Sequence, residues 1–254
     1  MFPVLQLGPL SLPTYPLALL LAGWLALEVG ARAARWLGVD GDHVYNVGLY
    51  GLVAGIVAAR LGHVIAYWPA YRSQPLEIVG FNISAFLLWP GIAAALAVAG
   101  WYIYRRRLPP ATMLDASAPG LLIGVAVAGV GALLAGRAYG APAADLPWAV
   151  NLWGVARHPS QVYEALAALA VALLALWLIR QGGRPGAAAL VALAGYGLSR
   201  WLLEPFRAAE VSPVILGGLR AAQVWGLAVA LAALWGVRAT GRRGRPGAPG
   251  TGAG

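Results

Sequence analysis

Seven apolar stretches dominate the chain, near residues 14–35, 45–67, 79–104, 112–136, 160–180, 186–204 and 216–237. A helix of about 20 residues crosses the roughly 30 Å hydrocarbon core of a bilayer, and each stretch is near that length. Inside lipid the backbone must satisfy its own hydrogen bonds, so such segments fold as helices. The breaks between them are turn-like, at Gly38 to Asp42, Trp68 to Pro75, Arg105 to Pro110, Gly140 to His158, Gln181 to Pro185 and Pro205 to Pro213. Of the 254 residues, 60% are hydrophobic and 11% charged, against roughly 25% charged in a soluble domain. A water-soluble fold of this size has no interior large enough for that apolar surface. The sequence therefore predicts an all-α, polytopic integral membrane protein with seven transmembrane helices over residues 1–239. A disordered Arg/Gly/Pro-rich tail follows over 240–254. The weaker sixth stretch leaves a re-entrant segment open as an alternative.

All 18 basic residues are arginine, and cysteine is absent. The second fact excludes disulfides, thiolate metal sites and a cysteine nucleophile. The first gives orientation. The turns after spans one, three, five and seven carry Arg32, Arg35, Arg105, Arg106, Arg107, Arg180, Arg184, Arg238, Arg242, Arg243 and Arg245. The opposite side carries only Arg72, Arg137, Arg157, Arg207 and Arg220, and its N-terminal segment has no charged side chain. The positive-inside rule then puts the N-terminus outside and the C-terminus in the cytoplasm. Arginines facing lipid phosphates account for the net charge of +9 without a nucleic-acid partner. The first span lacks a basic n-region and is too long for a signal-peptide core, so it reads as a retained helix.

Charged groups inside a bilayer are costly and mark function by default. Arg60, Arg137, His158, Glu164, Arg200, Glu204, Arg207 and Arg220 all fall near the outer ends of their spans. Arg200 and Glu204, at i and i+4, share a helix face that Arg207 continues. One reading is a buried ion pair that only fixes helix packing. The other is collective: several arginines beside two carboxylates at headgroup depth suit a phosphate-bearing lipid. Glu28 pairs with Arg32 at i, i+4, Asp115 reads as a charge at the start of its own helix, and His63 reads as a packing residue. No set of His, Asp and Glu has metal-site spacing, and no cofactor is implied.

The stretch Arg157-His158-Pro159-Ser160-Gln161-Val162-Tyr163-Glu164 closely resembles the R-H-P-S-Q-L-Y-E segment of bacterial prolipoprotein diacylglyceryl transferases. Tyr196-Gly197-Leu198-Ser199-Arg200-Trp201-Leu202-Leu203-Glu204-Pro205-Phe206-Arg207 is similar to that family's Y-G-x-x-R-F-x-x-E-F-F-R. Pro13-Thr14-Tyr15, Ala59-Arg60-Leu61-Gly62, Leu114-Asp115 through Pro119, and Gln223 match weaker family features in the same order, so the resemblance runs over residues 13 to 235. It implies transfer of the diacylglyceryl group of phosphatidylglycerol to the lipobox cysteine of a prolipoprotein, at the outer leaflet of the bacterial cytoplasmic membrane. The thiol nucleophile would come with the substrate's signal peptide. The resemblance implies catalytic roles for His158, Arg200 and Glu204, with His158 the candidate base because histidine titrates near neutrality. It implies substrate-binding roles for Tyr15, Arg60, Arg137, Gly140, Tyr163, Glu164, Arg207 and Gln223.

The chain departs from the family in two places. Where the span-four signature reads G-R-x-G-N-F-x-N-G-E-x-x-G, the chain has Gly129 for the arginine, Ala132 for an asparagine and Arg137 for the acid. The S-F-H-G-G of span three is replaced around Phe86 to Gly91, without a histidine. Arg137 is expected to restore the missing positive charge beside Arg200. A degenerate, non-catalytic relative that binds lipid or protein is the alternative. A transporter fits poorly, because the polar groups occupy one leaflet only.

Overall fold

The computed structural model describes residues 2–80, 85–208, 214–216 and 218–242. The chain is mostly helical: α1 Thr14–Trp36, α2 Asp42–Ala66, the single turn α3 Trp68–Tyr71, α4 Leu88–Arg105, α5 Pro110–Leu134, α6 Ser160–Arg180, α7 Ala187–Leu203 and α8 Ala221–Arg242. Prolines open several of them, where a missing N–H costs nothing: Pro13 precedes α1, Pro110 begins α5 and Pro159 precedes α6. Arg35, Arg105 and Arg180 sit in last turns, where they complement the negative end of the helix dipole.

Among the described residues five helices are long and apolar enough to cross a membrane: α1, α2, α5, α6 and α8 through Arg238. The two remaining long helices fall short. α7 has only 17 residues. α4 starts at Leu88 rather than near 79, with Gly80 and Leu87 both in extended backbone, and its 18 residues include Trp89, Pro90, Tyr102, Tyr104 and Arg105. The last helix likewise begins at Ala221 rather than 216. The all-α expectation holds, with three small two-stranded antiparallel hairpins beside the helices: β1 Val4–Leu7 with β2 Leu10–Pro13, β3 Val150–Leu152 with β4 Val155–Arg157, and β5 Val214–Leu216 with β6 Leu219–Arg220. The first precedes α1 and the other two lie in connections, all where backbone has no helical partner to satisfy it. α8 continues to Arg242, and residues 243–254 of the expected tail lie outside the described residues.

The interior is built from small side chains. Ala31, Ala33, Ala34, Ala116, Ala168, Ala172 and Ala175 are buried, while Leu20 (72% exposed), Trp89 (77%) and Leu166 (60%) face outward. That inversion suits lipid as the surrounding solvent, since helices in a bilayer gain by close approach rather than by hiding leucine. α5 packs on α1 and α6, α6 on α7, and α7 on α8, forming a continuous row. α2 and α4 form a separate pair that joins this row mainly through α1. An apolar groove of about 610 Å³ runs along that pair, lined among others by Gly51, Gly55, Ile56, Phe86, Gly91 and Ala95.

Candidate active site

The start of α6 and the end of α7 lie against each other, and their charges meet there. Arg200 is ion-paired with both Glu164 and Glu204, and Arg207 is ion-paired with the same Oε1 of Glu164. The i, i+4 spacing puts Arg200 and Glu204 together, and helix packing supplies Glu164 from a segment 36 residues away. The partners are not equally enclosed. Glu204 is 1% exposed, whereas the Arg200, Arg207 and Glu164 side chains keep 21%, 13% and 21%. Glu204 thus holds Arg200 from behind, and Glu164 is the front anion shared by two guanidiniums. A ligand phosphate reaching this face can take the place of Glu164 without leaving either arginine unpaired.

A small backbone platform supports the cluster. Residues 140–143 run between 156–158 and 206–208. Ala141 N–H donates to the Phe206 carbonyl (2.9 Å), Ala208 N–H to Tyr139 (3.2 Å), His158 N–H to Ala141 (3.0 Å) and Ala143 N–H to Ala156 (2.9 Å). Gly140 bridges to Arg207 at its centre. A Cβ at Gly140 would collide with the His158 carbonyl oxygen and lie 2.9 Å from that of Phe206, so only glycine lets the three segments close. Arg157 donates to the Gly140 carbonyl (3.1 Å) and stacks over Tyr139, 4.6 Å from the ring centroid.

His158 leaves this platform with its ring edge-on to Phe206 and Tyr163, centroids 5.1 and 6.2 Å away. Its Nδ1 is buried and has no hydrogen-bond partner. The Tyr163 hydroxyl accepts from the Trp148 indole (2.8 Å), so the 141–157 connection is tied to the front of α6.

The other expected site residues fall into three places. Tyr15 and Arg137 form a pair of their own on the α1–α5 side, with the Arg137 guanidinium 5.1 Å from the Tyr15 ring centroid. Arg137 is exposed, its carbonyl accepts from the Gln161 amide (2.7 Å), and its charge rests on Tyr15 rather than in the ion pairs of Arg200. Arg60 belongs to the α2–α4 pair. It donates to the carbonyls of Ile78 (3.1 Å), Ala85 (3.1 Å) and Glu77, and it lies over the Tyr71 and Phe86 rings. Gln223 is a staple at the start of α8: its Oε1 accepts from Arg220 N–H (3.0 Å) and its amide reaches the Trp201 carbonyl (3.4 Å).

Arg220 donates to the Glu204 and Arg207 carbonyls (2.9 and 2.8 Å) and so closes the end of α7. Phe206 and Trp148 were not singled out from sequence. Phe206 lay inside a quoted motif, but only the packing of three aromatic rings reveals its part. Asp115 does not serve its own helix: its carboxylate reaches α7. Gly129 lies where α5 meets α6, and a Cβ there would sit 3.0 Å from the Gln161 carbonyl oxygen. Close helix contact occupies the place of the missing arginine. Among the described residues no group of His, Asp and Glu could hold a metal ion.

The family model described as prolipoprotein diacylglyceryl transferase matches residues 3–238. The chain belongs to the prolipoprotein diacylglyceryl transferase family. Members of it named phosphatidylglycerol–prolipoprotein diacylglyceryl transferase include a protein of Synechococcus elongatus, 30% identical over 87% of this chain and 81% of that one. Another, from Thermosynechococcus vestitus, is 30% identical over 95% and 93%. A third, from Streptomyces griseus, is 34% identical over 87% and 70%. The similarity therefore spans both the transferase-like motifs of α6 and α7 and the divergent α4 and α5.

Proposed function

We propose that the chain transfers the diacylglyceryl group of phosphatidylglycerol to the lipobox cysteine of prolipoproteins, at the outer leaflet of the bacterial inner membrane. The observation that carries this is the shared carboxylate: Arg200 and Arg207 converge on Glu164, with Glu204 buried behind. Two guanidiniums on one exchangeable anion form a phosphate clamp. Family membership over nearly the whole chain supports transfer over a non-catalytic binding module. In this reading all seven long helices cross the bilayer, with α4 and α7 as short spans, and the N-terminus lies outside. Residues 1–239 form the membrane domain and 240–254 a cytoplasmic tail.

In the reaction the cysteine sulfur forms a thioether to the glycerol carbon that bore the phosphate. The carbon–oxygen bond breaks, and glycerol phosphate departs with the bonding electron pair. Arg200 and Arg207 bind the phosphate and stabilise the charge that grows on the leaving oxygen. Glu204 keeps Arg200 in place. His158 takes the thiol proton. Tyr15 and Arg137 form a second contact for lipid or signal peptide on the α1 side, and the groove along α2 and α4 offers an apolar wall for acyl chains. No cofactor takes part.

The test is complementation in a strain depleted of its own transferase, with prolipoprotein maturation followed by gel mobility. Maturation by the wild-type chain and its loss in Arg200→Gln and Arg207→Gln are expected. Unprocessed prolipoprotein accumulating despite membrane expression of the wild type would overturn the proposal.

A further inference from the structure

Asp115 is a buried carboxylate that the site does not use. It stands in the second turn of α5 and is 2% exposed. Its oxygens accept from the backbone N–H groups of Gly186 (2.6 Å) and Ala189 (2.7 Å), at the start of α7. α7 has no side-chain cap of its own, since glycine occupies its N-cap. The first N–H groups of a helix lack intrahelical acceptors and carry the positive end of the dipole. In a bilayer no water replaces a lost acceptor. Asp115 therefore supplies from α5 the cap that the α7 sequence omits.

The far end of the same helix carries Arg200 and runs into Glu204. From Gly186 to Arg200 the chain climbs 14 residues without a proline, about 21 Å of rigid hydrogen-bonded ladder. Arg220 grips that far end through two carbonyls. With both ends held, α7 has one axial height against α5 and α6. We propose that Asp115 is a positioning residue: by fixing the N-terminus of α7 it sets the height at which Arg200 meets Glu164. This rests on the reading of the Arg200–Arg207 cluster as the phosphate clamp.

The experiment uses the full chain in detergent with dioleoyl phosphatidylglycerol, reading lipid affinity, transfer rate and melting temperature. Asp115→Glu keeps the charge and the cap but adds a methylene, which pushes α7 along its axis. It is expected to stay folded with a modestly lowered melting temperature, because the added methylene overpacks a buried site, while affinity falls about tenfold, in keeping with the steep cost of small misplacements. In a Glu164→Gln background the same change is expected to cost less than half as much, because the two positions are coupled. Asp115→Asn, which keeps size and loses one acceptor, carries the same comparison if the longer side chain does not accumulate. Unchanged affinity in a folded Asp115 variant, or equal losses in the two backgrounds, overturns the positioning role. Equal lipid affinity of wild type and Arg200→Gln instead removes the clamp itself, which separates the two failures.

Discussion

On the α2–α4 side of the molecule Arg60 donates to three backbone carbonyls of its own connection, while on the α6–α7 side Arg200 and Arg207 donate to carboxylates. Both groups sit near the same ends of apolar helices. Their prospects differ because their acceptors differ. A guanidinium held by the carbonyls of Glu77, Ile78 and Ala85 cannot be withdrawn without leaving those backbone groups unsatisfied. A guanidinium held by a partly open carboxylate can trade one anion for another. Arginine in a membrane is therefore informative only once its partner is known, and the proposed clamp is the pair of arginines whose partner is an anion like the proposed ligand.

The strongest way to break this contrast is at Glu204. Glu204→Gln removes the buried counter-charge behind Arg200. Breaking a buried pair costs about 3–5 kcal/mol, less here because Arg200 keeps some exposure. The expected result is a lower melting temperature and a transfer rate down about 100-fold or more, measured with phosphatidylglycerol vesicles and a lipobox peptide. His158→Ala comes next: if His158 is the base, as proposed, its loss is expected to lower the rate about 100-fold with little change in lipid affinity. Gly140→Ala forces the 140–143 segment away from His158 and Phe206. It is expected to cost about 1–3 kcal/mol by overpacking, with a rate loss that follows displacement of His158 and Arg207. Arg60→Gln tests the other side. Transfer is expected to stay within about threefold, while protease cleavage between residues 72 and 80 speeds up as about 1 kcal/mol per lost carbonyl bond is removed. A loss of transfer as large as that of Glu204→Gln would erase the contrast. The smallest effect is expected at Arg137→Ala. An exposed cation–π contact is worth about 0.5–1 kcal/mol, so lipid affinity should fall only a few-fold.

Much of the fold was legible because lipid imposes a simple rule: apolar runs of the right length become helices. That rule located α1, α2, α5 and α6 to within a few residues of their observed bounds. It misjudged α4, which was expected to start near 79 but begins at Leu88, after extended backbone at Leu87. The hairpins were invisible for the opposite reason, since two- to four-residue strands outside the helices have no periodicity to read. At the site, the i, i+4 pair Arg200–Glu204 followed from spacing alone. Glu164 and Gly140 were named from motifs, and their tasks became clear only from contacts across segments distant in the chain.

The sequence by itself determined a helical membrane protein, the family and the set of charged residues available for chemistry, because length, hydropathy and motif are local properties. Only the tertiary structure decided how those charges divide. It placed Glu164 between two arginines, gave Arg60 to a loop and Arg137 to Tyr15, and aimed Asp115 of α5 at the start of α7. Those outcomes depend on which helix faces meet, and a charge inside a bilayer takes whatever partner packing brings within reach.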